Sequence, residues 1–142
     1  TGAIQLRASH SNQCLDIAGG YGSNGANAHQ WTCVGNVQTN QLWRLVPMSN
    51  GYQVVATHSG KCLDVSGGST SSGGNVHQWE CIGPNNTNQL WGLQPNGNGY
   101  RLVARHSRVC LDVQGGVSGN GVNVQQWACN GTLAQRWNMV RP

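Results

Sequence analysis

The chain contains no phenylalanine, and only four of its 142 residues are carboxylates: Asp16, Asp64, Glu80 and Asp112. Strong helix formers never gather at helical spacing over a long window, which argues against a helical bundle. No apolar run approaches the ~20 residues that span a bilayer as a helix, so membrane insertion is not expected. The net charge is +4, but the basic residues are scattered, with Arg101, Arg105 and Arg108 the only loose cluster. A nucleic-acid binder would show a basic stripe and a dedicated motif, so nucleic acid is not an expected partner. No C-x-x-C pair occurs, which weakens a zinc reading. The sequence opens at Thr1 with no signal peptide, as expected of a mature protein or an excised module.

What the chain has in abundance is glycine (21 residues) and a pattern repeated three times. Residues 14–33 read CLDIAGGYGSNGANAHQWTC, residues 62–81 read CLDVSGGSTSSGGNVHQWEC, and residues 110–129 read CLDVQGGVSGNGVNVQQWAC. Cys14, Cys62 and Cys110 are 48 residues apart, and the same period relates Cys33, Cys81 and Cys129, and Trp31, Trp79 and Trp127. A second marker follows each unit: Gln41-Leu42-Trp43, Gln89-Leu90-Trp91 and Gln135-Arg136-Trp137. The third comes two residues early because the loop before it is shorter.

Each unit holds four strand-like pieces between turn signals. In the middle unit these are residues 52–57, 62–65, 75–79 and 90–94, with glycine- and serine-rich turns between them. A unit this small cannot bury its own apolar face, so three should close around a shared core. Twelve short strands in three pseudo-symmetric four-stranded repeats predict an all-β protein, a β-trefoil. One domain over 1–142 is expected, with repeats of approximately 1–50, 51–98 and 99–142.

The triple Gln-x-Trp marker, with Cys-Leu-Asp opening each unit, resembles the ricin B-chain lectin family over essentially the whole chain. That family includes the family 13 carbohydrate-binding modules attached to bacterial polysaccharide-degrading enzymes. The resemblance implies carbohydrate binding without catalysis, polysaccharide or glycan partners, and a catalytic domain linked in the parent protein. It implies galactose-type or pentose-type ligands. The large indole, where some xylan-binding relatives carry Tyr, tilts the reading mildly toward galactose-configured sugars. Xylan, arabinan and β-glucan are the alternatives. A monomer is expected, with no cofactor and no metal.

Six cysteines permit fifteen connectivities. The repeat favours Cys14–Cys33, Cys62–Cys81 and Cys110–Cys129, because each unit then has the same covalent plan. Each bridge closes a loop of about 20 residues, worth roughly 3 kcal/mol in the chain-entropy model. Disulfides imply an oxidising compartment, hence secretion. Asn85-Asn86-Thr87 and Asn130-Gly131-Thr132 match the glycosylation sequon, which matters only in a eukaryotic secretory pathway.

If the two cysteines of a unit face each other across a hairpin, counting inward by two places Asp16 opposite Trp31, Asp64 opposite Trp79 and Asp112 opposite Trp127. Residues two apart share a face of a strand, so His29, His77 and Gln125 join that face. A sugar ring has an apolar face that packs on an indole, and hydroxyls that donate to a carboxylate in charge-assisted bonds. Asp can instead cap the glycine turn that follows it, but the facing Trp and the threefold recurrence favour a ligand site. The family pattern adds Asn40 with Gln41 and Asn88 with Gln89. Before Gln135 stands Ala134, so the third site should be the weakest.

Trp43, Trp91 and Trp137 are expected in the core. His10, His58 and His106, each before a tight turn, are expected to make structural hydrogen bonds. A glycoside hydrolase needs two carboxyl groups about 5–10 Å apart, whereas each unit offers one shared Asp, and Glu80 should point to the other face. The remaining rival is a trefoil that binds protein, such as a protease inhibitor, which has no need of a repeated Asp–Trp pair.

Overall fold

In the computed structural model, which describes residues 2–35 and 38–142, twelve strands run in order along the chain. The first repeat contains β1 (Gln5–Ala8), β2 (Cys14–Ile17), β3 (Ala28–Trp31) and β4 (Trp43–Met48). The second contains β5 (Gly51–Ala56), β6 (Cys62–Val65), β7 (Val76–Trp79) and β8 (Trp91–Asn96). The third contains β9 (Gly99–Ala104), β10 (Cys110–Val113), β11 (Val124–Trp127) and β12 (Trp137–Val140).

Six strands form a closed barrel. Antiparallel ladders join β4 to β5, β5 to β8, β8 to β9, β9 to β12 and β12 to β1, and the Ile4–Trp43 bridge closes the ring. The hairpins β2–β3, β6–β7 and β10–β11 lie outside that ring and cover one end of it. This is the β-trefoil expected from the threefold sequence period.

The core follows from strand alternation. Leu15 and Ile17, Leu63 and Val65, and Leu111 and Val113 point into one cluster with Leu6, Val54 and Leu102 from the barrel. Trp43, Trp91 and Trp137 are fully buried within it, as expected. Each indole N–H must find an acceptor there. Trp43 Nε1 donates to Leu15 O at 3.0 Å, Trp91 Nε1 to Leu63 O at 3.1 Å and Trp137 Nε1 to Leu111 O at 3.2 Å. Each core indole therefore ties a barrel strand to the hairpin strand that carries the repeat's Asp.

The three hairpins meet at the pseudo-threefold axis through a ring of asparagines. Asn27 Nδ2 donates to Asn123 Oδ1, Asn123 Nδ2 to Asn75 Oδ1 and Asn75 Nδ2 to Asn27 Oδ1, each at 2.8 Å. A second set of contacts locks each hairpin to the preceding loop. Gln30, Gln78 and Gln126 are fully buried, and each amide donates to two carbonyls of the neighbouring repeat: Val117 and Gly119, Tyr21 and Ser23, and Ser69 and Ser71. Both sets recur at the 48-residue period, so the signal is present in the sequence although neither set carries sugar chemistry.

The cysteines pair within repeats, Cys14–Cys33, Cys62–Cys81 and Cys110–Cys129, and no cysteine is free. The expected register needs correction. Asp16 stands opposite His29, and Trp31 opposite Cys14; the same two-residue shift places Asp64 opposite His77 and Asp112 opposite Gln125. The second cysteine of each pair lies beyond the end of its strand, where the chain leaves the ladder. It meets its partner at a Cα–Cα distance of 5.2 Å in the first repeat without being its ladder neighbour. Because the shift is even, the carboxylate and the indole keep a common face.

Candidate functional site

Each repeat builds one hollow on the outer face of its hairpin. The Asp strand supplies the carboxylate. The strand then breaks into a tight turn whose two glycines (Gly19 and Gly20, Gly67 and Gly68, Gly115 and Gly116) all have φ between 62° and 69°, a conformation that costs a glycine little. The returning strand supplies His or Gln and then Trp. The first hollow is lined by Asp16, Gly19, Gly20, His29, Trp31 and Asn40, among others. Asp64, the Gly67–Gly68 turn, His77, Trp79 and Asn88 line the second, and Asp112, Gln125, Trp127, Leu133, Ala134 and His10 the third.

Trp31, Trp79 and Trp127 are 40%, 38% and 42% exposed, unusual for the largest apolar side chain and available to a flat ligand. Glycines of the preceding repeat stand against the far edges of these rings: a Cβ on Gly121, Gly25 or Gly73 would come within 3.8, 3.8 or 3.7 Å of Trp31, Trp79 or Trp127. His29 stacks on Trp31 with ring centroids 5.4 Å apart, and His77 on Trp79 at 5.5 Å.

The carboxylates are almost buried and held from two sides. His29 Nε2 donates to Asp16 Oδ1 at 2.8 Å and Gln41 Nε2 to Asp16 Oδ2 at 2.9 Å. In the second site His77 Nε2 donates to Asp64 Oδ1 at 2.7 Å and Gln89 Nε2 to Oδ2 at 2.9 Å, with Asn88 Nδ2 also 3.3 Å from Oδ2. A carboxylate only accepts, so the shared proton sits on the imidazole Nε2 in both sites. In the third, Gln135 Nε2 donates to Asp112 Oδ2 at 2.7 Å, while Gln125 reaches Oδ1 only at 3.3 Å. An ionised carboxylate has about four acceptor positions. Two donors, or three at Asp64, leave room for a hydroxyl of a ligand on a group whose direction is already fixed.

The structure assigns the marker glutamines a place beneath the carboxylate rather than on the wall. Gln41, Gln89 and Gln135 are buried and their amides are fully engaged. Gln89 Nε2 also donates to Glu80 O at 2.8 Å, while Gln89 Oε1 accepts from Ile82 N at 3.0 Å; Gln41 and Gln135 repeat this with Thr32 and Val34, and with Ala128 and Asn130. Their contact with each hollow runs through the Asp carboxylate. Asn40 and Asn88 do line their hollows, and each donates to the carbonyl that ends the Asp strand, at 3.0 Å on Ile17 and 3.1 Å on Val65.

The third site departs in chemistry. Ala134 stands in the asparagine's place, and this hollow, which also takes in His10 and Leu133, measures 590 Å³, against 460 and 490 Å³ for the first and second. Burial pushes the Asp112 carboxyl above its ordinary value; the bonds from Gln135 and Gln125 and the nearby His10 oppose that rise without cancelling it.

The remaining histidines and Glu80 hold loops, although His10 also borders the third hollow. His10, His58 and His106 bond through Nε2 to Val117 O, Tyr21 O and Ser69 O at 2.9, 2.8 and 2.6 Å, the structural role expected of them. Glu80 turns to the first repeat, where its Oε1 accepts from Asn24 Nδ2 at 3.3 Å.

The model of the ricin-type beta-trefoil lectin domain-like family matches residues 1–79, 39–127 and 87–142, which together span the chain. Among solved structures, the designed 3-fold symmetric protein ThreeFoil is 42% identical with a TM-score of 0.94, and each chain covers 100% of the other. An exo-β-1,3-galactanase from Clostridium thermocellum is 31% identical with a TM-score of 0.92; the match takes in 100% of this chain and 30% of the galactanase. The hemolytic lectin CEL-III is 30% identical with a TM-score of 0.76, over 97% of this chain and 30% of that one. No curated protein sequence gives a significant match. Fold, repeat markers and family match agree: the chain belongs to the ricin-type β-trefoil lectin domain-like family.

Proposed function

We propose that this protein is a non-catalytic sugar-binding module, taking galactose-type residues of polysaccharides or glycans at up to three sites. The observation that carries this reading is one geometry made three times: a braced carboxylate, almost buried, beside a half-exposed indole over a glycine floor. The indole packs on the C–H face of the sugar, and the carboxylate accepts from its hydroxyls. Asn40 or Asn88 adds an amide at the rim. Each hollow holds a single carboxylate, whereas general acid–base cleavage of a glycosidic bond ordinarily uses two. The likeness to part of a galactanase and to a hemolytic lectin supports a sugar ligand, and the galactanase supports a galactose-configured one. The three disulfides support function in an oxidising, extracellular setting.

A glycan array probed with the labelled protein, in the presence and absence of free galactose, tests this. Retention on galactose-terminated or galactan probes that free galactose removes is the expected result. Retention on no glycan, or retention that no free sugar competes away, overturns the proposal.

A further inference from the structure

One position follows the two floor glycines of every site and differs in each: Tyr21 in the first, Ser69 in the second, Val117 in the third. Its backbone is pinned the same way throughout. Tyr21 O accepts from His58 Nε2 and Gln78 Nε2, both at 2.8 Å; Ser69 O accepts from His106 and Gln126, and Val117 O from His10 and Gln30. Its side chain lies against the first glycine of the floor in the first and third sites, while nothing lies within 4 Å of a Cβ on Gly67 in the second. A Cβ on Gly19 would stand 2.6 Å from Tyr21 Cε2, and one on Gly115 would stand 3.3 Å from Val117 Cγ2. Gly19 in turn lines the first hollow.

Tyr21 is 64% exposed, so its ring contributes little burial to the fold. An aromatic side chain with few torsions, on a backbone pinned at its carbonyl, costs little ordering entropy when a ligand meets it. Its hydroxyl can donate to and accept from sugar hydroxyls.

We propose that Tyr21 extends the first site by one subsite, where a second sugar residue of the same saccharide chain packs on its ring beside the residue held by Asp16 and Trp31. The inference rests on the sugar-binding reading of the first site. It makes the first site selective for oligosaccharides and leaves the second, with Ser69, a site for a single residue.

The test uses the full chain with the other two sites silenced by Asp64→Asn and Asp112→Asn, titrated with galactose, β-1,3-galactobiose and lactose while the Trp31 indole resonance is followed. The expected result is a disaccharide affinity about fivefold to tenfold above that of galactose, from a contact of ordinary aromatic strength. Tyr21→Ser should abolish that gain and leave galactose affinity within about twofold. In the reciprocal experiment, with Asp16→Asn and Asp112→Asn, Ser69→Tyr should create a gain for the disaccharides at the second site. Galactose bound normally with an unchanged disaccharide gain in Tyr21→Ser, or no gain from Ser69→Tyr, overturns the subsite and leaves the sugar site standing. No Trp31 response to any of the three sugars overturns the sugar-binding reading on which it rests.

Discussion

Replacing Gln89 by Met removes three hydrogen bonds at nearly constant side-chain volume. The amide holds Asp64 Oδ2 at 2.9 Å, Glu80 O at 2.8 Å and Ile82 N at 3.0 Å, all from a fully buried position. Leaving a buried polar partner unmet costs about 1–3 kcal/mol, with a charged acceptor at the upper end. The three losses share one side chain and are not additive, so the expected total is about 3–4 kcal/mol. Against a stability of about 5–15 kcal/mol this is a large and measurable shift. Urea unfolding followed by tryptophan fluorescence reads it as a lower midpoint at unchanged slope. The second readout is functional. Asp64 loses the donor that fixes its direction, so ligand shifts at the Trp79 indole should require at least about tenfold more sugar, while Trp31 and Trp127 respond as before. A midpoint loss below about 0.5 kcal/mol, together with unchanged affinity at Trp79, would refute the claim that the marker glutamine braces the carboxylate.

Removing one disulfide by Cys62→Ser with Cys81→Ser opens a loop with a sequence separation of 19 and should cost about 3 kcal/mol, read as a lower urea midpoint with the fold retained by circular dichroism. Sugar binding at Trp127 should fade as pH falls through the raised titration of Asp112, above the ordinary 3.8, because the protonated acid loses an acceptor. In stability the same shift has the opposite sense. The contribution of Asp112 is fully present below 3.8 and is lost as pH rises through its folded value, so Asp112→Asn should flatten the pH profile of the unfolding midpoint just above 3.8. Each site should hold a monosaccharide at only about 1 mM, so retention on immobilised galactan should exceed free-sugar affinity by orders of magnitude through avidity. Trp31→Ala or Trp79→Ala should reduce that retention more than Trp127→Ala, as affinity electrophoresis on galactan gels would show. A third site that proves the tightest would contradict its expected weakness.

The repeat of Cys-Leu-Asp, His/Gln-x-Trp and Gln-x-Trp carries the fold in the sequence alone, because three units too small to bury their own apolar faces must share a core. Disulfide pairing was legible for the same reason, as was the burial of Trp43, Trp91 and Trp137. Alternation with a period of two put Asp16, His29 and Trp31 on one face, and that held through an error of two residues in the register. What alternation cannot supply is which residue stands across from which. That depended on where each strand ends, and Cys33 proved to lie beyond the ladder. The division of labour inside the marker was equally invisible in one dimension. Only the packed barrel shows that Gln41 lies under Asp16 while Trp43 ties down the carbonyl of Leu15, since both contacts join segments more than twenty residues apart. Tyr21 carries no motif and recurs in no other repeat. The glycine beneath its ring is a local neighbour, but the bonds from His58 and Gln78 that pin its carbonyl beside the first hollow are contacts that the closed fold alone creates.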